Sequence, residues 1–552
     1  MELDGSPPSC PVCAAVCEAP AVTLCGHIVC CECLRAVLSS PSARACPVCR
    51  QSLWPATDSA PPPPRVAPSA LVASLVEGRW PGAVLQSRAD REAATRRRLL
   101  REACETGSAA LVSKALAGAG EAQVAELLGA PLGADGLFPL HVACRRGNVE
   151  AARALAATGR CDVDAVSGGD DGDTPLGWAA AGGHAVLVRA LLAGLGEDGA
   201  PGADVDRVGR AGGTPLLAAC AGGHGDVVAA LLGAGAKPDG GAAPSALGTP
   251  LQAAAGRGDA ALVGALLEAG ATDPRSAALH AAAAAGAADA VRRLVREEGC
   301  DVNRCTDDEW GTTALWLASD AGHAEAVRAL AEGGASVNKA TEDDGTPPLW
   351  AACQGGHDDV VQVLLAHGAD ANRCPDDGER VSPLWKAVQK GHAGCVALLL
   401  RDAAGVEVDA ARAADGSTPL YTASQDGRAD LVAALLAAGA DADLARTDFG
   451  TTPLLVACER GHEACAVLLV SAGADVARGR SDVPGITPLA LACRAGLVDL
   501  VGLLLDHGAR PNQDPGHEAA ASPMKLALLH GNHDVVRLLL AHGATEETLD
   551  DA

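Results

Sequence analysis

Hydrophobic and polar positions along most of this chain follow one short pattern that recurs many times. A small polar residue precedes Pro, Leu follows, apolar residues continue at helical spacing, and Gly ends the run. A second run then begins, such as Asp358-Asp359-Val360-Val361-Gln362-Val363-Leu364-Leu365, and closes at Gly368 in His367-Gly368-Ala369-Asp370. A Thr or Ser hydroxyl can accept from the free amides of a first helical turn, and Pro fits that turn because its missing N–H would have no partner there. Apolar residues one turn apart put a single face of each helix against a core, and Gly permits the turn that ends it. The pattern therefore predicts helix, turn, helix, loop as a unit that must stack on its neighbours to bury its apolar face.

The phase is marked by Phe138-Pro139-Leu140-His141, Thr174-Pro175-Leu176, Thr214-Pro215-Leu216, Thr249-Pro250-Leu251, Ala277-Ala278-Leu279-His280 and Thr313-Ala314-Leu315. It continues through Pro347-Pro348-Leu349, Ser382-Pro383-Leu384, Thr418-Pro419-Leu420, Thr452-Pro453-Leu454, Thr487-Pro488-Leu489 and Ser522-Pro523-Met524. The period stays near about 33 residues. A longer interval before Leu216 predicts a loop insertion, and a shorter one before Leu279 a loop deletion. On these residues the chain resembles the ankyrin-repeat family over 97–545, as about twelve repeats plus a degenerate first unit at Leu99 to Gly118. The resemblance implies a mainly α, helical solenoid. Residues 546–552, with Glu546, Glu547, Asp550 and Asp551, read as an acidic tail.

Upstream, the pattern stops. Residues 56–96 read as a linker, stiffened by Pro61 to Pro64, with a short helix expected over Ser69 to Glu77. Residues 1–55 are rich in cysteine. Cys10-Pro11-Val12-Cys13, Cys25-Gly26-His27, Cys30-Cys31-Glu32-Cys33 and Cys46-Pro47-Val48-Cys49 supply four ligand pairs, enough for two tetrahedral zinc sites with no open coordination position, so the two metal ions are expected to be structural. A redox reading suits one Cys-x-x-Cys pair but not four pairs at these spacings. Cys17 and Cys31 fall outside the pattern.

The order of ligands, with His at the fourth place, resembles the RING finger. In that family the two sites interleave, which implies Cys10, Cys13, Cys30 and Cys33 on one ion and Cys25, His27, Cys46 and Cys49 on the other. It also implies ubiquitin ligase activity without a covalent intermediate on the RING. The positions that dock the ubiquitin-conjugating enzyme carry over to Val12, Val37 and Pro47, and the cation that positions ubiquitin to Arg50. Val37 departs from the Trp common at its position and presents less surface for docking.

Composition agrees with a repeat array. Hydrophobic residues make up 48% of the 552 positions but aromatic ones only 2%, so the interior must be filled by Ala, Leu and Val. The formal charge of -26 argues against nucleic acid and anionic membrane as partners, because both are bound through Lys and Arg. Arg96, Arg97, Arg98 and Arg101 read as a solvated helix face rather than a localisation signal. The start of the chain lacks the basic and apolar regions of a secretory signal, and no window reads as a membrane span, so the expected setting is intracellular, cytoplasmic or nuclear. The cysteines outside the first fifty residues are scattered through the repeats, as suits buried free thiols in a reducing compartment.

Within the repeats, His184, His224, His323, His357, His392 and His462 each follow Gly at one repeat position, and the family resemblance implies turn hydrogen bonds rather than chemistry. Cys104, Cys144, Cys220, Cys353, Cys458 and Cys493 sit one helical turn after the motif Leu and are expected to be buried. Cys305 and Cys374 read as loop residues too far apart to share a metal. Phosphate loops, nucleophile elbows and paired catalytic carboxylates are not found. The unusual feature is a line of rings, Trp316, Trp350, Trp385 and Tyr421, directly after the motif Leu in four consecutive repeats. They either pack the first helices or supply aromatic anchors for a partner.

The expected function is a RING-type ubiquitin ligase that binds a charged conjugating enzyme and ubiquitin, while the array recruits an unidentified protein substrate. The alternative is a non-enzymatic scaffold whose RING is structural or dimerising. Lys is confined to Lys114, Lys237, Lys339, Lys386, Lys390 and Lys525, which implies poor self-modification.

Overall fold

The computed structural model describes residues 88–545, except loop segments at 134, 169–171, 196–201, 210–211, 241–247, 274–275, 298, 404, 483–484 and 513–521, together with two short strands near the start of the chain. The strands, β1 (Pro20–Val22) and β2 (Ile28–Cys30), pair antiparallel with Pro20 opposite Cys30 and Val22 opposite Ile28. The linker at Pro61 to Pro64, the helix expected over Ser69 to Glu77 and the acidic tail lie outside the described residues.

The chain divides into two compact units. The first runs to Ala143 and takes in Glu150–Cys161; the second holds Cys144–Val149 and everything from Asp162. In the first, the helix Arg88–Thr106 packs on Ala109–Leu116. It begins earlier than residue 97, within the stretch read as linker. Of the basic run, Arg96 joins this pairing, donating to the carbonyls of Ala115 and Ala117 at 2.9 and 2.8 Å, while Arg97, Arg98 and Arg101 are exposed and Arg101 pairs along its own helix with Glu105 at 2.9 Å. Arg96, placed at the C-terminal end of Ala109–Leu116, also meets the negative pole of its backbone dipole.

The second unit is a stack of helix pairs. First helices, such as Pro348–Gly355 and Pro383–Lys390, pack on one another in sequence order, and so do the second helices, such as Asp358–Ala366 and Ala393–Asp402. The caps form as the pattern predicts. Thr174 accepts from Gly177 N at 3.0 Å, Ser382 from Trp385 N at 3.1 Å and Thr418 from Tyr421 N at 3.1 Å, each with Pro in the first turn. Leu176, Leu216, Leu349, Leu384, Leu420 and Leu454 are buried, as are Val360, Val361 and Leu364 of the second run. Each such side chain stabilises the stack by about 1.5–3 kcal/mol relative to exposure.

The two irregular intervals are loop changes, as expected. Ala185–Ala193 and Pro215–Gly222 are separated by a long connection, whereas Ala260–Glu268 is followed closely by Ala277–Ala284. The shortening removes the usual cap. Ser276 takes a left-handed conformation, with φ 51°, and its side chain does not cap the helix. Asp273 replaces it, its carboxylate accepting from the amides of Ala277, Ala278 and Leu279 at 2.8, 2.9 and 3.2 Å. Burial pushes the Asp273 carboxyl up while these bonds draw it back down.

A ladder of Asn and Asp side chains joins successive loops. Asn338 accepts from Asp370 N at 2.8 Å and donates to Gly368 O at 3.2 Å; Asn372 accepts from Glu407 N at 2.8 Å and donates to Gly405 O at 2.8 Å. Asp409 and Asp443 hold the same place with carboxylates, accepting from Asp441 N and Asp475 N. An ionised carboxylate cannot make the second bond, because it has no hydrogen to give. Burial raises the Asp409 carboxyl above its usual range, and the nearby charge of Asp441 adds to this. A raised folded-state value means that Asp409 favours folding when protonated and loses that contribution as pH rises through the carboxylate range. Asp409→Asn is therefore expected to stabilise the array by about 1 kcal/mol at neutral pH, read as a higher urea midpoint, with the gain shrinking below the carboxylate range.

Candidate functional site

The Gly-His pairs are links between repeats. Nε2 of His224 donates to Ala181 O at 3.0 Å, of His357 to Asp320 O at 2.9 Å and of His392 to Gln354 O at 3.1 Å. His184, His323 and His462 make the same bond to Arg145 O, Ala284 O and Gln425 O. The glycine is required twice over: Gly356 has φ 75°, and a Cβ there would stand 2.5 Å from the His392 ring of the next repeat. In three of the repeats where His is replaced, another donor links to the previous repeat. Arg257 reaches Ala221 O at 3.0 Å, Arg428 reaches Gly391 O at 2.8 Å and Asn532 reaches Cys493 O at 2.8 Å.

The cysteines on the first helices are core residues. Cys104, Cys144, Cys220, Cys353, Cys458 and Cys493 are all buried. Burial pushes the thiols of Cys104, Cys220, Cys458 and Cys493 up to about 12, so they stay protonated at neutral pH and are poor nucleophiles. Cys305 and Cys374 are half-exposed loop residues in different repeats. Among the described residues, no group of three or more His, Cys, Asp or Glu side chains is placed to hold a metal.

The aromatic line lies on first helices that touch in order, and its rings differ in burial. Trp385 and Tyr421 are 5% and 4% exposed, whereas Trp316 and Trp350 are half-buried. Two indoles are tied to the following repeat: Trp350 Nε1 donates to Val381 O at 3.0 Å and Trp385 Nε1 to Ser417 O at 3.1 Å. Trp316 Nε1 is buried without an acceptor.

Cations from the chain cover most of these rings. Lys386 Nζ lies 4.8 Å from the centre of the Trp350 ring and 5.9 Å from that of Trp385, where burial lowers its proton affinity. Arg412 stands 5.9 Å over Trp385, Arg446 5.6 Å over Tyr421 and Arg480 5.3 Å over Phe449. Each guanidinium is also paired with a carboxylate, Arg412 with Glu379 at 2.8 Å, Arg446 with Asp448 at 2.6 Å and Arg480 with Asp482 at 2.6 Å. The result is a row of ring, guanidinium and carboxylate, in which stacking and paired hydrogen bonding reinforce one another. The sequence reading found the rings but missed the arginines. Their regular spacing, one per repeat, was the available signal.

The residues expected to bind zinc belong to the other end of the chain. Cys30 is the last residue of β2, whereas Cys25 and His27 lie outside the described residues. Cys10, Cys13, Cys33, Cys46, Cys49, the docking positions Val12, Val37 and Pro47, and Arg50 lie outside the described residues.

Comparison with known proteins agrees with the fold of the stack. The family model for ankyrin repeats matches in overlapping segments over 100–241 and 251–550, so this chain belongs to the ankyrin-repeat family. One curated relative is the Arabidopsis thaliana protein E3 ubiquitin-protein ligase KEG, 43% identical over 82 residues, which are 15% of this chain. The match spans only 5% of that protein's length. Solved structures similar to parts of the chain include the ankyrin repeat domain of Bcl-3, of the IkappaB protein family, at 27% identity over 42% of this chain and 98% of that one, with a TM-score of 0.37. Another is an ankyrin repeat domain from Acinetobacter baumannii, at 33% identity over 36% of this chain and 98% of that one, with a TM-score of 0.32. Among the described residues, no helix is long and apolar enough to cross a membrane.

Proposed function

We infer that this protein is a RING-type ubiquitin ligase whose ankyrin array recruits the protein to be modified. The observation that carries this is the ligand series Cys10, Cys13, Cys25, His27, Cys30, Cys33, Cys46 and Cys49, followed directly by Arg50. Seven thiols and one imidazole are donors that zinc prefers, and as two closed tetrahedral sets they leave no position for a metal-bound nucleophile. When bound, zinc supplies the cross-links that a segment with so little core needs in order to fold. The partial match to a plant ubiquitin ligase supports the same direction.

In this reading Val12, Val37 and Pro47 form the apolar patch that receives the conjugating enzyme. Arg50 donates hydrogen bonds to the enzyme and to ubiquitin together, since its planar fork can serve two acceptors at once. The thioester is then held in a reactive pose, and attack by a substrate lysine is favoured by restricting the freedom of the reactants. The stacked repeats contribute the recruiting surface. The smaller Val37 favours a second reading, a scaffold whose zinc module only dimerises; it requires a dimer that chelation dissociates and no contact with a charged conjugating enzyme.

The test is discharge of ubiquitin from a charged conjugating enzyme to free lysine, which avoids dependence on this chain's few lysines. Arg50→Ala is expected to slow discharge by about tenfold or more, the equivalent of one or two charge-assisted hydrogen bonds. Discharge that is unaffected by this substitution removes the mechanism.

A further inference from the structure

The row of ring, guanidinium and carboxylate spans three consecutive repeats and is absent from the two before them, where Pro375 and Thr341 hold the arginine's place. Arg412, Arg446 and Arg480 occupy one repeat position, fixed by backbone bonds: their amides donate to the carbonyls of Ser417, Thr451 and Ile486, and the amide of the residue after each donates to the preceding loop at Glu379, Asp415 and Phe449. Thr341 holds the same position. Its amide donates to Thr346 O, and the next amide, of Glu342, donates to Trp310 O. Trp310 thus stands where Phe449 stands, Thr341 where Arg480 stands, and Asp343 where Asp448 and Asp482 stand.

The loop therefore has the rings and the carboxylate of its neighbours without their cation. Trp310 is 56% exposed, Asp343 is exposed, and among the described residues no Lys or Arg lies over the ring of Trp310 or Trp316. Elsewhere the exposed Phe449 ring is covered by Arg480. An exposed indole in a loop bonded to the one that carries Thr341, beside carboxylates such as Asp308, presents a face that attracts a flat cation. Trp316, on the first helix that follows this loop, has its indole N–H buried without an acceptor.

We propose that an arginine of a partner protein occupies the guanidinium place left open above Thr341, stacking on Trp310 beside Trp316 and pairing with Asp343. The inference rests on the reading of the array as a recruiting surface and gives the recruited segment a chemistry: basic, with arginine preferred to lysine because only a planar guanidinium both stacks and pairs with a carboxylate. The charge of -26 on the chain favours approach of such a segment.

The test is the binding of fluorescein-labelled nona-arginine to the full chain at physiological salt, with nona-lysine for comparison. Nona-arginine is expected to bind several-fold more tightly than nona-lysine, and Trp310→Ala and Asp343→Asn each to weaken it by about fivefold or more. Asp499→Asn, the same charge change on an exposed helix position elsewhere, is expected to leave it unaltered. Thr341→Arg supplies the missing cation from within and is expected to weaken the peptide as Trp310→Ala does; if that variant unfolds, the two surface variants decide. Equal weakening by Asp343→Asn and Asp499→Asn, or binding untouched by Trp310→Ala, overturns the proposal. Ubiquitin discharge to free lysine needs no recruited substrate, so its loss in Arg50→Ala and its retention in Trp310→Ala separate the fate of this inference from that of the ligase reading.

Discussion

Trp385→Ala is expected to destabilise the array by about 3–5 kcal/mol, more than the same change at any other ring of the line. Its indole is 5% exposed, it donates to Ser417 O at 3.1 Å in the next repeat, and Lys386 and Arg412 both lie 5.9 Å from its centre. Removing it opens a cavity, leaves the Arg412 cation without its ring, and breaks a bond between repeats. Trp350→Ala should have a smaller effect because that ring is half-buried, and Trp316→Ala smaller still because its N–H has no acceptor to lose. Urea unfolding followed by circular dichroism measures the series. Stability in a stack is a sum of repeat and interface contributions, so Trp385→Ala should also broaden or split the transition where the interface is weakened. Equal losses at Trp385 and Trp316 would contradict the account given of the rings.

Removal of zinc is the second large effect. Chelation of the full chain is expected to abolish ubiquitin discharge while the helical signal near 222 nm stays unchanged. The binding free energy of a small zinc module is about 10–16 kcal/mol, which is more than so short a segment can replace from its own core. The described residues of the stack contain no cluster of possible metal ligands, so its helical signal is expected to survive. Cys46→Ser should reproduce the result without a chelator. Discharge that survives both treatments excludes the RING reading; a large loss of helix on chelation shows a metal in the array.

Much of the stack could be read from residues alone. Thr174, Ser382 and Thr418 cap their helices because a hydroxyl next to Pro is a local signal, and the buried Leu positions follow from spacing within a single helix. The Asp273 cap was not legible. It depends on a loop deletion that brings a carboxylate from an earlier position onto three amides. Arg257, Arg428 and Asn532 were missed for a similar reason: they share no chemistry with His beyond one N–H donor, and only the position of the carbonyl in the previous repeat shows that this is what they supply.

The sequence by itself determined the family of the stack, the caps of its first helices and their buried face, because each depends on residues close together in the chain. Tertiary structure alone decided which rings are enclosed and which stand open. Trp316, Trp350, Trp385 and Tyr421 occupy one sequence position, yet their burial and partners differ because those depend on what the next repeat brings across: Lys386 for Trp350, Arg412 for Trp385, Arg446 for Tyr421, and Thr341 where the row lacks its cation. A neighbour some thirty residues away along the chain, set by the stacking of one repeat on the next, fixes the environment of each ring.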